Sequence, residues 1–158
     1  MEDSNLLREK LLLEYKPDIE RLSKYIPYFQ SKGAKDVMNQ YEADQNTTGS
    51  LVFPIYDSTL MSFVKEVKNT KLINPNYVYV YSRKRMRSVK DEIGEIDHVT
   101  LRDFDVLTAI LSKYVLKGMI KASLWTEAVE YKLFLKVLLK MKELVDFWDK
   151  EEHKTSAF

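Results

Sequence analysis

Apolar residues recur along most of this chain at helical spacing. Leu6, Leu11, Leu12 and Tyr15 predict a helix over residues 5–15, with Asp3 or Ser4 as its cap. Pro17 opens the next segment, "PDIERLSKYIPYFQ". Proline suits a first helical turn, where its missing N–H has no partner to lose, and Asp18 and Glu20 sit well near the positive helix end. Ile19, Leu22, Ile26 and Phe29 form the buried stripe, and Pro27 within it predicts a kink or a fresh start. Gly33 ends the segment. "AKDVMNQYEADQ" has a thin apolar face and predicts at most a short helix; "NTTGS" at 46–50 reads as a loop. "LVFPIY" (51–56), broken by Pro54, reads as extended.

Asp57 or Ser58 caps a further helix whose core face is Leu60, Phe63, Val64 and Val67. "YVYVY" (77–81) alternates with period two and predicts a strand, with the 51–56 stretch as its expected partner. "TLRDFDVLTAILSKYVLKG" is the strongest helical pattern. Thr100 and Asp103 have capping-box spacing, and Phe104, Leu107, Leu111, Tyr114 and Val115 line one face. Lys113 and Lys117 complement the negative helix end, and Gly118 suits a left-handed closing position. Residues 123–152 are helical by pattern, with Phe134, Leu135, Leu138, Met141, Val145 and Trp148 inward and Lys132, Lys136 and Lys140 on the opposite side. One helix, or two with a break near 129–131, both fit. The expected fold is mainly α: a compact single-domain helical bundle of five to seven helices over residues 1–158, with room for a small two-stranded β element. Residues 1–4 and 152–158 are expected to fray.

Composition narrows the chemistry. Among 158 residues there is no cysteine, which excludes disulfides, thiolate catalysis and cysteine-based metal sites. His98 and His153 are isolated, no H-E-x-x-H occurs, and four scattered glycines build no phosphate-cradling loop. "DEIGEID" lacks the EF-hand spacing. No catalytic residue, metal ligand or cofactor is therefore assigned. The first residues lack a positive n-region followed by an apolar h-region, and no apolar run approaches membrane-spanning length. No membrane association is expected, and the expected compartment is the cytoplasm.

Charge supplies the one candidate site. The net charge of +1 conceals an internal asymmetry. Residues 65–90 hold eight basic residues against Glu66 alone, while residues 91–105 hold six acids against Arg102 alone. Arg83, Lys84, Arg85, Arg87 and Lys90, with Tyr79 and Tyr81 (and Tyr77) ahead of them, form a basic and aromatic candidate surface. Three readings compete. Asp91, Glu92, Glu95 and Asp97 could fold back and neutralise the cluster. An acidic protein could bind it. Nucleic acid could bind it, with phosphates on the cations and bases stacked on tyrosine. A row such as Lys132–Lys136–Lys140 is ordinarily a solvated helix face, but it would enlarge the cluster if the two lay side by side.

"IYDSTLMSFVKEV", "TLRDFDVLTAILSKYVLKG" and "FLKVLLKMKEL", in that order, resemble a family of small, uncharacterised helical bacterial domains often carried by mobile elements. The resemblance covers the second two-thirds of the chain and rests on Leu107-Thr108, Gly118 and the spacing of the last helix. The family favours arginines and a phenylalanine just before the glycine, where Tyr114 and Val115 stand here, and no functional residue carries across. It implies a mainly helical single domain of bacterial or phage origin. The expected function is a non-enzymatic interaction protein binding a protein or nucleoprotein partner through the central basic and aromatic surface. A phage- or mobile-element-encoded inhibitor of a host nucleoprotein, of the anti-CRISPR kind, is its concrete form. The alternatives are a direct nucleic-acid binder using the same surface and an enzyme with an unrecognised carboxylate site. A wide apolar stripe on the last helix would suit a homodimer.

Overall fold

Two prolines interrupt the first helix without ending it. The computed structural model describes residues 2–42 and 52–156, and residues 2–31 form one bent helical run, α1. It comprises α-helix Glu2–Lys10, a wide π turn Leu11–Tyr15, α-helix Lys16–Leu22, a 3-10 turn Ser23–Tyr25 and α-helix Ile26–Ser31. Proline lacks the N–H that an α-helix interior needs. Before Pro17 the ladder shifts to the π pattern, with the Lys16 N–H donating to Leu11 O. Before Pro27 it tightens, with the Ile26 N–H donating to Ser23 O. Each proline thus stands in the first turn of a fresh α segment.

A single turn, α2 (Ala34–Val37), leads into strand β1 (Met38–Glu42), which pairs antiparallel with β2 (Val52–Tyr56), Met38 opposite Tyr56 and Glu42 opposite Val52. The extended reading of residues 52–56 holds, but the expected partner, Tyr77–Tyr81, does not. The short helix expected from residue 34 onward gives way to β1 after one turn. The 46–50 loop and Leu51 lie outside the described residues. Helix α3 (Ser58–Lys68) follows, capped by Asp57, whose Oδ2 accepts from the Thr59 N–H at 3.2 Å. The Tyr28 hydroxyl donates to the same oxygen at 2.8 Å and fastens α1 to this cap.

"YVYVY" is helical: α4 spans Tyr77–Lys84. An alternating run of tyrosine and valine is only weakly committed to a strand, and packing decides. On a helix, Tyr77 and Tyr81 share one face by their i, i+4 spacing, and both pack against the core with the buried Val80. The preceding turn fixes the entry. The Asn74 N–H donates to Ser112 Oγ at 2.7 Å, and the Asn76 N–H to Asn74 Oδ1 at 2.9 Å. Helix α5 (Val89–His98) comes next, and then α6, residues 101–117, a 3-10 turn, an α-helix and a closing π turn. Helices α7 (Ser123–Glu130) and α8 (Leu133–Ser156) complete a mainly α fold of eight helical segments among the described residues.

Helix α6 is the centre. From Phe104 to Ser112 every residue except Asp105 is buried, so the helix is enclosed on all sides rather than on the one face its pattern predicts. Helices α4, α5 and α8 all pack on it. Its buried hydroxyls are satisfied: Thr108 Oγ1 donates to Asp105 O at 3.0 Å, and Ser112 Oγ accepts from Asn74. Three local expectations change. Thr100 makes no side-chain cap bond, because residues 101–103 wind as a 3-10 turn. Gly118 has right-handed φ, −61°, and its role is space: a Cβ there would lie 2.0 Å from Trp125 Nε1. The break before the last helix comes at Lys132, in left-handed conformation with φ 59°, so residues 123–156 are two helices. Backbone helix also runs through residues 2–4 and 152–156, where the composition predicts frayed ends. Among the described residues no helix is long and apolar enough to cross a membrane.

Replacing Gly118 tests the role of that contact. Gly118→Ala is expected to cost about 1–3 kcal/mol, the usual penalty for overpacking a filled core. Urea unfolding followed by tryptophan fluorescence measures it. A backbone that merely needed left-handed freedom would predict the same loss, but Gly118→Asn separates the two. Asparagine tolerates left-handed φ, yet it must destabilise more than alanine if space is the constraint.

Candidate partner-binding surface

The surface singled out by sequence is built on a buried carboxylate. Glu92, in the first turn of α5, is 1% exposed. A buried carboxylate is costly unless donors surround it. Here the Tyr114 hydroxyl donates to Oε1 at 2.7 Å, the Tyr81 hydroxyl donates a short bond to Oε2, and Lys113 Nζ lies 3.4 Å from the same oxygen. Lys113 also stands 4.8 Å from the ring centroids of both Tyr81 and Tyr114, a cation between two π faces. Burial first, and Glu92 second, push both phenols well above the ordinary tyrosine value. All of these groups are engaged with one another, so the cluster is an anchor joining α4, α5 and α6 rather than a reactive site.

From that anchor the chain turns a tight corner between α4 and α5. Arg85 closes α4 in left-handed conformation (φ 55°), with its N–H on Ser82 O at 3.2 Å and the Met86 N–H on Tyr81 O at 3.0 Å. Met86 is buried beneath the corner. Ser88 then caps α5: its Oγ accepts from the Asp91 N–H at 3.2 Å, and Asp91 Oδ2 accepts from the Arg87 N–H at 2.9 Å. That Arg87 amide bond is the main reason the Asp91 carboxyl is held below the usual carboxylate range.

The structure divides the seven proposed site residues into three groups. Tyr81 points inward to Glu92 and offers no stacking face. Arg83 and Lys84 are neutralised within the chain: Arg83 Nη2 reaches Asp105 Oδ2 at 2.7 Å and Lys84 Nζ reaches Asp103 Oδ1 at 3.2 Å. The Asp105 hydrogen bond raises the Arg83 guanidinium further. Such half-exposed pairs are worth at most about 1 kcal/mol each, but they cancel charge. Tyr79, Arg85, Arg87 and Lys90 remain outward. Tyr79 is 66% exposed, and the three cations form no ion pair among the described residues. The positive end of the α5 dipole lies beside Arg87 and Lys90 and adds to their field.

Self-neutralisation therefore occurs in part, but through other acids than those expected. Asp91 caps, Glu92 turns inward, and the work is done by Asp103 and Asp105 at the start of α6. The lysine row does not join the cluster. Lys140 Nζ lies 3.5 Å from Asp97 O, at the opposite end of α5 from Arg87 and Lys90. His98, exposed at that same far end, contacts Gly94 O at 2.8 Å through Nδ1. Val78, 63% exposed beside Tyr79, is the surface residue the sequence reading missed. Helical phasing of "YVYVY" would have found it, since 78 and 79 fall opposite 77, 80 and 81. Comparison with protein-family models, curated proteins and solved structures found no match.

Two measurements probe the anchor. Glu92→Leu leaves two phenols and an ammonium without their acceptor and should cost about 3–5 kcal/mol, the range for breaking a buried charge pair; Tyr114→Phe should cost less, about 1.5–3 kcal/mol. Denaturant unfolding ranks them, and a larger loss in Tyr114→Phe would contradict the assignment of Glu92 as the hub. Alkaline titration at 295 nm gives the second readout. Tyr25 is pushed up to about 12, chiefly by burial and then by Glu66, and Tyr28, Tyr81 and Tyr114 are raised as well. A phenol whose folded value is raised contributes stability that is full below pH 10 and lost as pH climbs through the folded value. Four tyrosines should therefore stay protonated at pH 10 to 11 and ionise only as the fold is lost, in step with the far-UV circular dichroism.

Proposed function

We propose that the protein is a non-enzymatic interaction protein that docks an acidic macromolecular partner on the α4–α5 corner. The observation that carries this reading is the outward pair Val78 and Tyr79 beside three cations without an ion-pair partner among the described residues, Arg85, Arg87 and Lys90, on a backbone corner capped at both ends. An exposed aromatic and an arginine are the residue types that dominate protein interfaces. The capped corner holds them in place before any partner arrives, which lowers the ordering cost of binding. A mobile-element-encoded inhibitor of a host nucleoprotein is the concrete form of this reading.

Protein is favoured over nucleic acid by the cation count. Two of the five clustered cations are matched to Asp103 and Asp105. Tyr81, bonded to Glu92, is withdrawn from stacking on bases. Three cations make a short contact for a polyanion, whose affinity grows with each phosphate neutralised.

The test compares the native chain with a corner variant carrying Tyr79→Ala, Arg85→Gly and Arg87→Glu. Arg85→Gly keeps the left-handed position comfortable. Quantitative affinity capture from a bacterial lysate is paired with fluorescence anisotropy on single- and double-stranded DNA and RNA at low and physiological salt. The expected result is a stoichiometric protein complex that the native chain retains and the corner variant loses, with little nucleic-acid affinity at physiological salt. Capture unaffected by the variant would sink the corner as the docking site. Tight nucleic-acid binding with a steep salt slope, lost in the variant, would replace the protein partner with a nucleic acid.

A further inference from the structure

A cleft opens between the first turns of α1, the start of α6 and the 71–75 connection. One lobe, about 220 Å³, lies against Leu7, Leu11, Leu101 and Phe104. A second, about 280 Å³, lies against Lys71, Asn74, Pro75 and Thr108. Lys10, Tyr15 and Asp105 line both, so the lobes adjoin. Tyr15 and Phe104 are stacked, centroids 5.0 Å apart and planes at 24°, and form a flat aromatic wall. Lys10 Nζ stands 5.7 Å from the Tyr15 centroid, over its face.

The charges in this cleft are lopsided. Lys10, Lys71 and Arg102 line it, and none has an ion-pair partner among the described residues. Asp105 is the sole acid among its described lining residues; its Oδ2 accepts from Arg83, while its buried Oδ1 has no hydrogen-bond partner among the described residues. Free cations around an apolar wall set two requirements on an occupant: negative charge and an apolar body. A metal ion meets neither, an organic amine lacks the negative charge, and inorganic phosphate leaves the aromatic wall unused.

We infer that this cleft binds a small organic anion: a carboxylate, sulfonate or phosphate ester on an aromatic or aliphatic body. The body lies in the first lobe along Leu7, Leu101 and the Tyr15–Phe104 wall. The anionic head is held by Lys10 and Arg102, the two cations of that lobe, with Lys71 in the adjoining one. Charge-assisted hydrogen bonds of this type are the strong ones, and a mostly apolar concavity with a few polar groups is the usual form of a small-molecule site. The inference stands apart from the α4–α5 corner, because Val78, Tyr79, Arg85, Arg87 and Lys90 line neither lobe.

The probe is 8-anilinonaphthalene-1-sulfonate, an aromatic anion whose fluorescence rises in an apolar site, titrated into the full chain. Lys10→Glu and Arg102→Glu reverse the two nearest exposed cations, and Lys68→Glu, on α3 and outside the cleft, is the control. Circular dichroism confirms that each variant folds. The expected result is saturable one-to-one binding, weakened about tenfold by either cleft reversal, equivalent to about 1.4 kcal/mol, and unchanged by the control. Decanoate should displace the dye competitively, and inorganic phosphate at equal concentration should not. Binding that never saturates, that ignores both cleft reversals, that falls equally in the control, or that decanoate fails to displace overturns the inference.

Discussion

The buried carboxylate of Glu92 is the constraint on which the middle of this protein depends. A charge taken out of water weakens a fold unless its partners are held in place, and removing one partner is more damaging than never having built the group. The chain meets that demand with three donors from two helices. Tyr81 comes from α4, while Tyr114 and Lys113 come from α6. The price is geometric: α4 must lie where Tyr81 can reach, and the start of α5 must face α6. The outward position of Val78 and Tyr79 follows from this inward commitment, since a helix that turns 77, 80 and 81 to the core has only its other face to show.

The same geometry decides what becomes of the basic run. Had residues 77–81 been a strand, the cations after it would have continued along an extended arm toward the acids of 91–97. As a helix, α4 brings Arg83 and Lys84 back over the start of α6, within reach of Asp103 and Asp105. The remaining cations are carried round the corner onto the positive end of α5, where no carboxylate of the described residues pairs with them. Charge that sums to nearly zero over the chain is thus sorted in space into matched pairs and unmatched clusters, one at the corner and one in the cleft beside α1.

Much of the helical architecture was legible in the sequence, because long apolar periodicities, Asp57 as a cap and the prolines as segment starts are local signals. The Phe63, Leu107 and Phe134 core positions were readable for that reason. Residues 77–81 were not, because two periods fit five residues equally well and packing on α6 chose between them. The partner of β2 was missed with them, since strand pairing is a long-range choice. Gly118 was legible as a special residue but for the wrong property: a left-handed φ is a local expectation, whereas the indole of Trp125 is a neighbour from the next helix. The site suffered in the same way. Its cations were visible, but which of them are spent depends on Asp103 and Asp105, acids distant in sequence. The cleft draws its lining from residues 7 to 108, and no stretch of sequence announces it.

The π turn at Leu11–Tyr15 has a further consequence, for the chain's tolerance of changes in length. A π turn closes on the fifth residue back rather than the fourth, so it takes up one residue without turning the helix further. Four residues of α-helix turn through about 400°, and the wide turn spreads nearly the same angle over five. Losing one residue there would restore an ordinary α turn and leave Leu7 and Lys10 on the face that meets the cleft. A further insertion finds no such slack and would rotate the preceding turns by about 100°. The segment can lose a residue but not gain one.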